Sequence, residues 1–109
     1  MINYIDVIGE KETTFYTFDI RAEGNDIIVS PGEYYNQGKL VFNAPKETVL
    51  TVSESGFYQV WIFSEGIKLI KGVNARSDYI NILSYFEVPE GFSSIESLKV
   101  RCIRTVLRD

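Results

Sequence analysis

The sequence predicts an all-β domain, a single antiparallel β-sandwich or flattened barrel of about eight strands. Runs rich in β-branched and aromatic residues recur at spacings of about 8–12 residues, separated by Gly, Pro, Asn and Asp. Helical periodicity does not extend beyond one turn, and only Ser93–Ser97 suits a short helix. A chain of 109 residues corresponds to one domain.

The first half of the chain predicts four strands, two of them in a hairpin. Residues 13–20 (TTFYTFDI) are almost entirely β-branched or aromatic, and residues 26–30 form a short apolar strand. Residues 33–35 and 39–43 flank Asn36-Gln37-Gly38, a three-residue loop with glycine where a left-handed backbone is usually needed. This is the clearest hairpin in the sequence.

The second half predicts strands over residues 48–53, 57–63, 67–70, 79–88 and 98–107. Alternation along each strand assigns its faces. The predicted core-facing residues are Tyr58, Val60, Ile62, Ile80, Ile82, Phe86, Val88, Leu98, Val100, Cys102 and Val106. The opposite faces carry Asn81, Tyr85, Glu87, Lys99, Arg101, Ile103 and Thr105.

Composition argues against several classes of function. The chain has no histidine and one cysteine, so Ser-His and Cys-His nucleophile pairs, disulfides and multi-cysteine metal sites are excluded. We therefore predict no enzymatic activity, no catalytic residue, no cofactor and no metal. The net charge of −4 gives little support for nucleic-acid binding. The basic residues near the carboxyl end are interpreted as a solvated strand face; they are Lys99, Arg101, Arg104 and Arg108.

Two acidic groups and the cysteine have weak functional alternatives. Asp19, Glu23, Asn25 and Asp26 lack the ligand spacing of an EF-hand and are interpreted as a polar turn. Glu87 and Glu90 could form a glycosidase pair, but Glu90 in Pro-Glu-Gly is typical of a turn. Cys102 alternates with Val100 on an apolar side, which favours a small core residue over a reactive thiol.

The amino terminus and the lengths of the apolar runs indicate the cellular compartment that we expect for the protein. No basic segment precedes an apolar stretch, so we expect no secretion signal and a reducing cytosol. The strongest apolar run, residues 57–63, is far shorter than the roughly 18 residues of a membrane helix, so no membrane insertion is expected. Residues 1–12 are interpreted as an arm or an edge strand, and residues 13–109 as the domain.

Aromatic residues define the candidate functional surfaces. If Tyr58, Val60 and Ile62 fill the core, then Phe57, Trp61 and Phe63 lie on the opposite face, and the strand is apolar on both sides. Either this chain covers them, or a subunit does, or they form a ligand platform. Tyr34 and Tyr35 beside the hairpin loop suit recognition if exposed. They also suit cross-strand packing.

Four sequence motifs, at residues 28–39, 58–62, 80–91 and 94–98, follow one another in an order that resembles β-domains of bacteriophage tail-fibre, baseplate and appendage proteins. The run Ile28 to Lys39 (IVSPGEYYNQGK) matches their V-x-P-G-x-Y-Y-x-x-G-K opening, and a Tyr-Val-Trp-like strand follows at residues 58–62. Residues 80–91 (INILSYFEVPEG) match I-x-I-L-x-x-F-x-V-P-x-G, and residues 94–98 (SIESL) match the last segment. The resemblance covers residues 27–106.

The resemblance implies a non-enzymatic structural or adhesion component of a virion, assembled in the host cytoplasm. Such modules usually form homotrimers and pack against other virion proteins, so Phe57, Trp61 and Phe63 are predicted at subunit contacts. Two other functions remain open from the residues themselves. One is a monomeric module that binds a host-surface glycan through Tyr34, Tyr35 and Trp61. The other is a small inhibitor that binds a host protein through a strand edge.

Overall fold

The computed structural model describes residues 14–72 and 79–103, and in them the chain is all-β and antiparallel, as predicted. Nine strands form in this part of the chain: β1 Thr14–Tyr16, β2 Ile20–Glu23, β3 Asp26–Val29, β4 Gly32–Asn36, β5 Lys39–Ala44, β6 Thr48–Thr51, β7 Gly56–Phe63, β8 Gly66–Lys71 and β9 Tyr79–Val88. They make three open sheets, ordered β1-β4-β5, β2-β3-β6 and β8-β7-β9.

One hydrophobic core joins the three sheets. Each sheet contributes fully buried or nearly buried side chains to it, and so does the segment after β9. The core residues are Tyr16, Phe18, Ile20, Ile27, Val29, Tyr34, Val52, Tyr58, Val60, Ile62, Ile67, Leu83, Phe86, Val88, Ile95 and Val100. The predicted core strand 57–63 is confirmed, since Tyr58, Val60 and Ile62 all face inward. A shared core of this kind is compatible with the predicted sandwich or flattened barrel.

The predicted strand over residues 13–20 is divided in two. β1 pairs with β4, whereas β2 pairs with β3 in another sheet, and the chain changes sheets between them. At the crossing, the Ser30 amide donates to the Asp19 carbonyl at 2.8 Å, and the Asp19 amide donates to the Ser30 hydroxyl at 2.8 Å. Phe18 is completely buried at this point. Thr13, like the predicted arm or edge strand at residues 1–12, lies outside the described residues.

Two tight hairpins organise the middle of the chain. Asn36 pairs with Lys39, so the β4–β5 loop is Gln37-Gly38, two residues rather than the predicted three. Both loop residues have positive φ, 54° and 77°, as two-residue hairpin turns of type I′ require. In the β7–β8 hairpin Phe63 pairs with Gly66, whose φ of 143° strongly favours glycine.

The predicted strand over residues 98–107 is wrong in its described part. A 3-10 helix spans Glu96–Leu98, and Lys99 ends it in a left-handed conformation at φ 53° and ψ 48°. Residues 99–103 then form no strand. The segment is instead held by single hydrogen bonds: the Ile103 amide donates to the Leu83 carbonyl at 2.7 Å, and the Ser84 hydroxyl donates to the Arg101 carbonyl at 2.8 Å.

The predicted alternation of this segment holds even though the strand does not. Val100 is buried and Cys102 packs against the core, while Lys99, Arg101 and Ile103 are exposed. The apolar residues cover one end of the core, and this packing satisfies the same period-2 pattern that strand pairing would. Arg104, Thr105, Val106 and Arg108 lie outside the described residues.

A β-bulge changes the predicted faces of β9. Val60 pairs with Ser84, but Trp61 pairs with Ile82, so Leu83 is an extra residue in the ladder. Leu83 is completely buried, and Ile82 lies beside Trp61 on the side of the sheet away from the core. The prediction that Ile82 faces the core with Phe86 and Val88 is therefore wrong, because one inserted residue reverses the alternation. For the same reason Asn81, which was predicted on the side away from the core, lies opposite the buried residue Ile62.

Candidate functional site

The side of the β8-β7-β9 sheet that faces away from the core is the strongest candidate site in the described part of the chain. We call it the outer face. The register fixes which residues share it, because directly opposed residues of antiparallel strands point to the same side. Its residues are Lys68 and Ile70 on β8, Phe57, Gln59 and Trp61 on β7, and Ile82, Tyr85 and Glu87 on β9.

The outer face consists of short cross-strand rows. The first row is Lys68–Trp61–Ile82 and the second is Ile70–Gln59–Tyr85. In the third row Phe57 pairs with Glu87 on β9. On the β8 side, the Phe57 carbonyl accepts a hydrogen bond from the Gly72 amide at 2.7 Å. Apolar and aromatic side chains therefore occupy most of the face, with a lysine at one corner and a glutamate at the opposite corner.

Two aromatic side chains of this face are exposed to solvent. Tyr85 is 58% exposed and Phe57 is 36% exposed, and their rings lie 6.2 Å apart at 35° to each other. Trp61 is half-buried, and its indole Nε1 donates to Gln59 Oε1 at 2.5 Å. Sequence reasoning placed Phe57 and Tyr85 outward correctly, but it did not single out Tyr85, because Phe57 and Tyr85 are brought together only by the β7–β9 register.

Phe63 does not belong to an exposed surface. It follows Trp61 by two residues, yet it is completely buried, with the Lys68 ammonium 5.9 Å from its ring centre. Among the three predicted interface residues, Phe63 is thus covered within the chain itself, which was one of the alternatives for this strand. Phe57 and Trp61 remain as candidate contact residues.

The structure separates the two candidate recognition tyrosines. Tyr34 is buried, 5% exposed, and its burial raises the pKa of the phenol. It therefore contributes to the core and cannot be an exposed recognition residue as predicted. Tyr35 points to the other side of β4 and stacks on Phe15 of β1, with ring centres 4.7 Å apart and planes at 13°. This is the cross-strand packing that the sequence offered as the alternative.

Cys102 and the residues of the predicted polar turn make contacts within the chain. The Cys102 thiol lies 3.5 Å from the Phe18 carbonyl and packs against the core. In the predicted polar turn, Asp26 Oδ1 accepts a hydrogen bond from the Thr51 hydroxyl at 2.8 Å, and Glu23 pairs with Arg21. Within residues 14–72 and 79–103, no group of three or more His, Cys, Asp or Glu side chains is arranged to hold a metal ion.

Comparisons with known proteins give the outer face no precedent. Neither the protein-family models, nor the curated proteins, nor the solved structures include a match to this chain. No helix in the described ranges is both long enough and apolar enough to span a membrane. Function is therefore inferred from the residues and geometry of the chain itself.

Proposed function

We propose that this protein is a non-enzymatic structural component that acts by packing against other protein subunits through its outer face. The observation that carries the proposal is that the β8-β7-β9 sheet, with β7 at its centre, is largely apolar on both sides. Tyr58, Val60 and Ile62 are buried in the core, while Phe57 and Tyr85 on the outer face are exposed side by side. A sheet of a soluble domain that faces water on one side normally alternates polar and apolar residues, so a doubly apolar strand favours a second covering layer.

The proposal extends to a virion component, as the sequence resemblance implies. The resembling motifs fall on the end of β3, on β4 and its turn into β5, on β7, on β9 and on the segment of the 3-10 helix, and of these β7 and β9 build the outer face. Aromatic residues are enriched at protein interfaces, and Phe57, Trp61 and Tyr85 supply three of them on one face. The outer face alone does not determine the number of subunits, so the trimer implied by the resemblance is a separate expectation.

Replacement of the exposed aromatics tests the packing role. The double variant Phe57→Ser and Tyr85→Ser removes the two exposed rings of the outer face. Its control is the double variant Leu40→Ser and Val49→Ser, which removes two apolar residues of 53% exposure elsewhere. We expect the first variant to weaken self-association or particle incorporation at least tenfold, and the control to resemble the unmodified protein. Light scattering measures the mass, and mass spectrometry of purified particles measures incorporation.

The outcomes have distinct meanings. Equal behaviour of the two double variants would contradict packing through the outer face. A protein absent from purified particles would contradict the virion role while leaving the packing role intact. Circular dichroism establishes that both variants are folded before their masses are compared.

A second candidate is a carbohydrate-binding module, supported by the polar groups beside the exposed ring pair. Gln59 pairs with Tyr85, and Glu87 pairs with Phe57, so an amide and a carboxylate border the two rings. Aromatic rings can stack on the apolar side of a sugar while such groups bond its hydroxyls. Because Tyr34 is buried, this site differs from the predicted Tyr34, Tyr35 and Trp61 platform. Saturable oligosaccharide binding by a monomer, lost in Tyr85→Ala, would favour it over packing.

A further inference from the structure

The residues of the outer face are arranged as a grid centred on Gln59. Along a strand, residues on the same face are every second residue and lie about 6.8 Å apart, and neighbouring strands lie about 4.8 Å apart. Lys68 occupies the β8 corner in the Trp61 row, and Glu87 occupies the β9 corner in the Phe57 row. The only two charged side chains of the face, as the described register defines it, therefore lie at opposite ends of one diagonal.

We propose that the outer face binds the same face of a second copy of this chain, across a twofold axis that runs along the other diagonal, from the Ile82 corner through Gln59 toward Gly72. This inference rests on the proposed packing function and names its partner. Two identical faces that meet form a twofold contact, in which every pairing occurs twice. The arrangement predicts a dimer rather than the trimer that the sequence resemblance implies.

The twofold operation brings unlike residues together in complementary pairs. Lys68 of one copy meets Glu87 of the other, Ile70 meets Phe57, and Trp61 meets Tyr85. Gln59 meets Gln59 on the axis, where each amide keeps its Nε2 donors and the second lone pair of the Oε1 that accepts from Trp61. The strands of the two copies cross at roughly a right angle, which is one of the two common ways in which sheets pack.

The spacing of the grid tolerates this crossing. Because the row and strand spacings differ, opposed positions are offset by about 2–3 Å, which long side chains such as lysine and glutamate can span. Lys68 already pairs with Glu65 at 2.5 Å, but both side chains are about half exposed, at 46% and 50%. An exposed pair of this kind contributes little, so Lys68 can exchange Glu65 for Glu87 of the second copy.

The size of the face predicts a weak dimer. Three strands and three rows cover roughly 14 by 20 Å, or about 300 Å² per copy, whereas a standard stable interface buries about 800 Å² per partner. The dimer should therefore depend on concentration, with dissociation in the micromolar range or weaker. In an assembly, such a contact would be one of several that hold each subunit.

Charge reversal tests the pairing of Lys68 with Glu87. The variants are K68E, E87K and the double variant K68E/E87K, which has the same net charge of −4 as the unmodified chain. The matched controls are K46E and E90K, which make the same charge changes at exposed positions outside the outer face. Sedimentation velocity between about 10 μM and 1 mM, at low salt, measures the dimer dissociation constant.

We expect K68E and E87K each to weaken the dimer about fivefold to thirtyfold, because each creates two like-charge contacts per dimer. The double variant should recover to within about twofold of the unmodified protein, and added salt should reduce all of these differences. The controls should differ from the unmodified protein by less than about twofold.

Three results would overturn the inference. If K68E and E87K behave like K46E and E90K, or if the double variant does not recover, the twofold pairing is wrong. If Phe57→Ser with Tyr85→Ser then still weakens association, the packing function survives with a different partner arrangement. If the unmodified protein is a monomer at 1 mM, self-association fails, and incorporation into particles becomes the separate test of the proposed function.

Discussion

Ile95 should be essential to stability even though it lies outside every sheet. It sits just before the 3-10 helix, it is completely buried, and its amide donates to the Gly24 carbonyl at 2.9 Å. Ser94 donates its hydroxyl to the same carbonyl at 3.1 Å. The segment after β9 is thus fixed to the β2–β3 turn at the point where Ile95 enters the core.

The expected cost of Ile95→Ala follows from that burial. Alanine lacks three carbons of the isoleucine side chain, and at about 0.8 kcal/mol for each buried carbon the lost transfer energy is about 2.4 kcal/mol. The cavity left behind raises the expected total to about 3–4 kcal/mol. For a domain of this size, that corresponds to a decrease of roughly 15 °C in the melting temperature.

Ile103→Ala is the matched control for this prediction. It removes the same three carbons from the same segment, but Ile103 is 37% exposed, and its amide still donates to the Leu83 carbonyl. We expect a loss of about 1 kcal/mol. Urea denaturation followed by circular dichroism gives the free energy of unfolding of both variants. Equal losses in the two variants would refute the conclusion that this segment completes the core.

Two further predictions concern the β1-β4-β5 sheet. An alanine Cβ at Gly32 would lie 2.8 Å from Thr17 Oγ1 and 3.0 Å from the Phe18 backbone nitrogen, so Gly32→Ala should destabilise the domain by about 1–3 kcal/mol. An unchanged urea midpoint would show that this close approach is absent. Burial raises the pKa of Tyr34 in the folded protein, so the unfolded chain ionises first, and this contribution to stability is present below about pH 10 and is lost as the pH rises further. Tyr34→Phe should therefore reduce the fall in the urea midpoint between pH 8 and pH 10.5. Tyr85→Phe, which changes an exposed tyrosine, is the control, and an equal effect of both variants would contradict the prediction.

The elements predicted best are those whose limits are set by local chemistry. Pro89-Glu90-Gly91 ends β9, and the strand spans Tyr79–Val88, the range predicted. The inward side of β7 was also predictable, since Tyr58, Val60 and Ile62 alternate without interruption. The end of β9 is set by its turn residues, and the inward side of β7 by every second residue of one short run, so neither prediction needs a residue from elsewhere in the chain.

The errors arise where the outcome depends on a partner distant in sequence. Adjacent tyrosines at positions 34 and 35 must face opposite sides of β4, but only the packing of Tyr34 into the core and of Tyr35 on Phe15 decides which is buried. The alternation in residues 98–103 likewise indicates one buried side without indicating what covers it. Pairing with a neighbouring strand and packing over the core without pairing both produce the same alternation of buried and exposed residues.

The bulge at Leu83 connects the outer face with the segment after β9. By turning Leu83 into the core, it leaves Ile82 beside Trp61 on the outer face, so the same extra residue extends both apolar layers. The Leu83 carbonyl accepts from Ile103, and the neighbouring Ser84 donates to Arg101, which fixes the segment to the irregular part of β9. A regular ladder would instead place Leu83 opposite Trp61 and return Ile82 to the core side, where it would oppose Ile62. The segment after β9 therefore helps to hold the register that brings Tyr85 and Ile82 onto one surface, and the outer face depends on the contacts that this segment makes with Leu83 and Ser84.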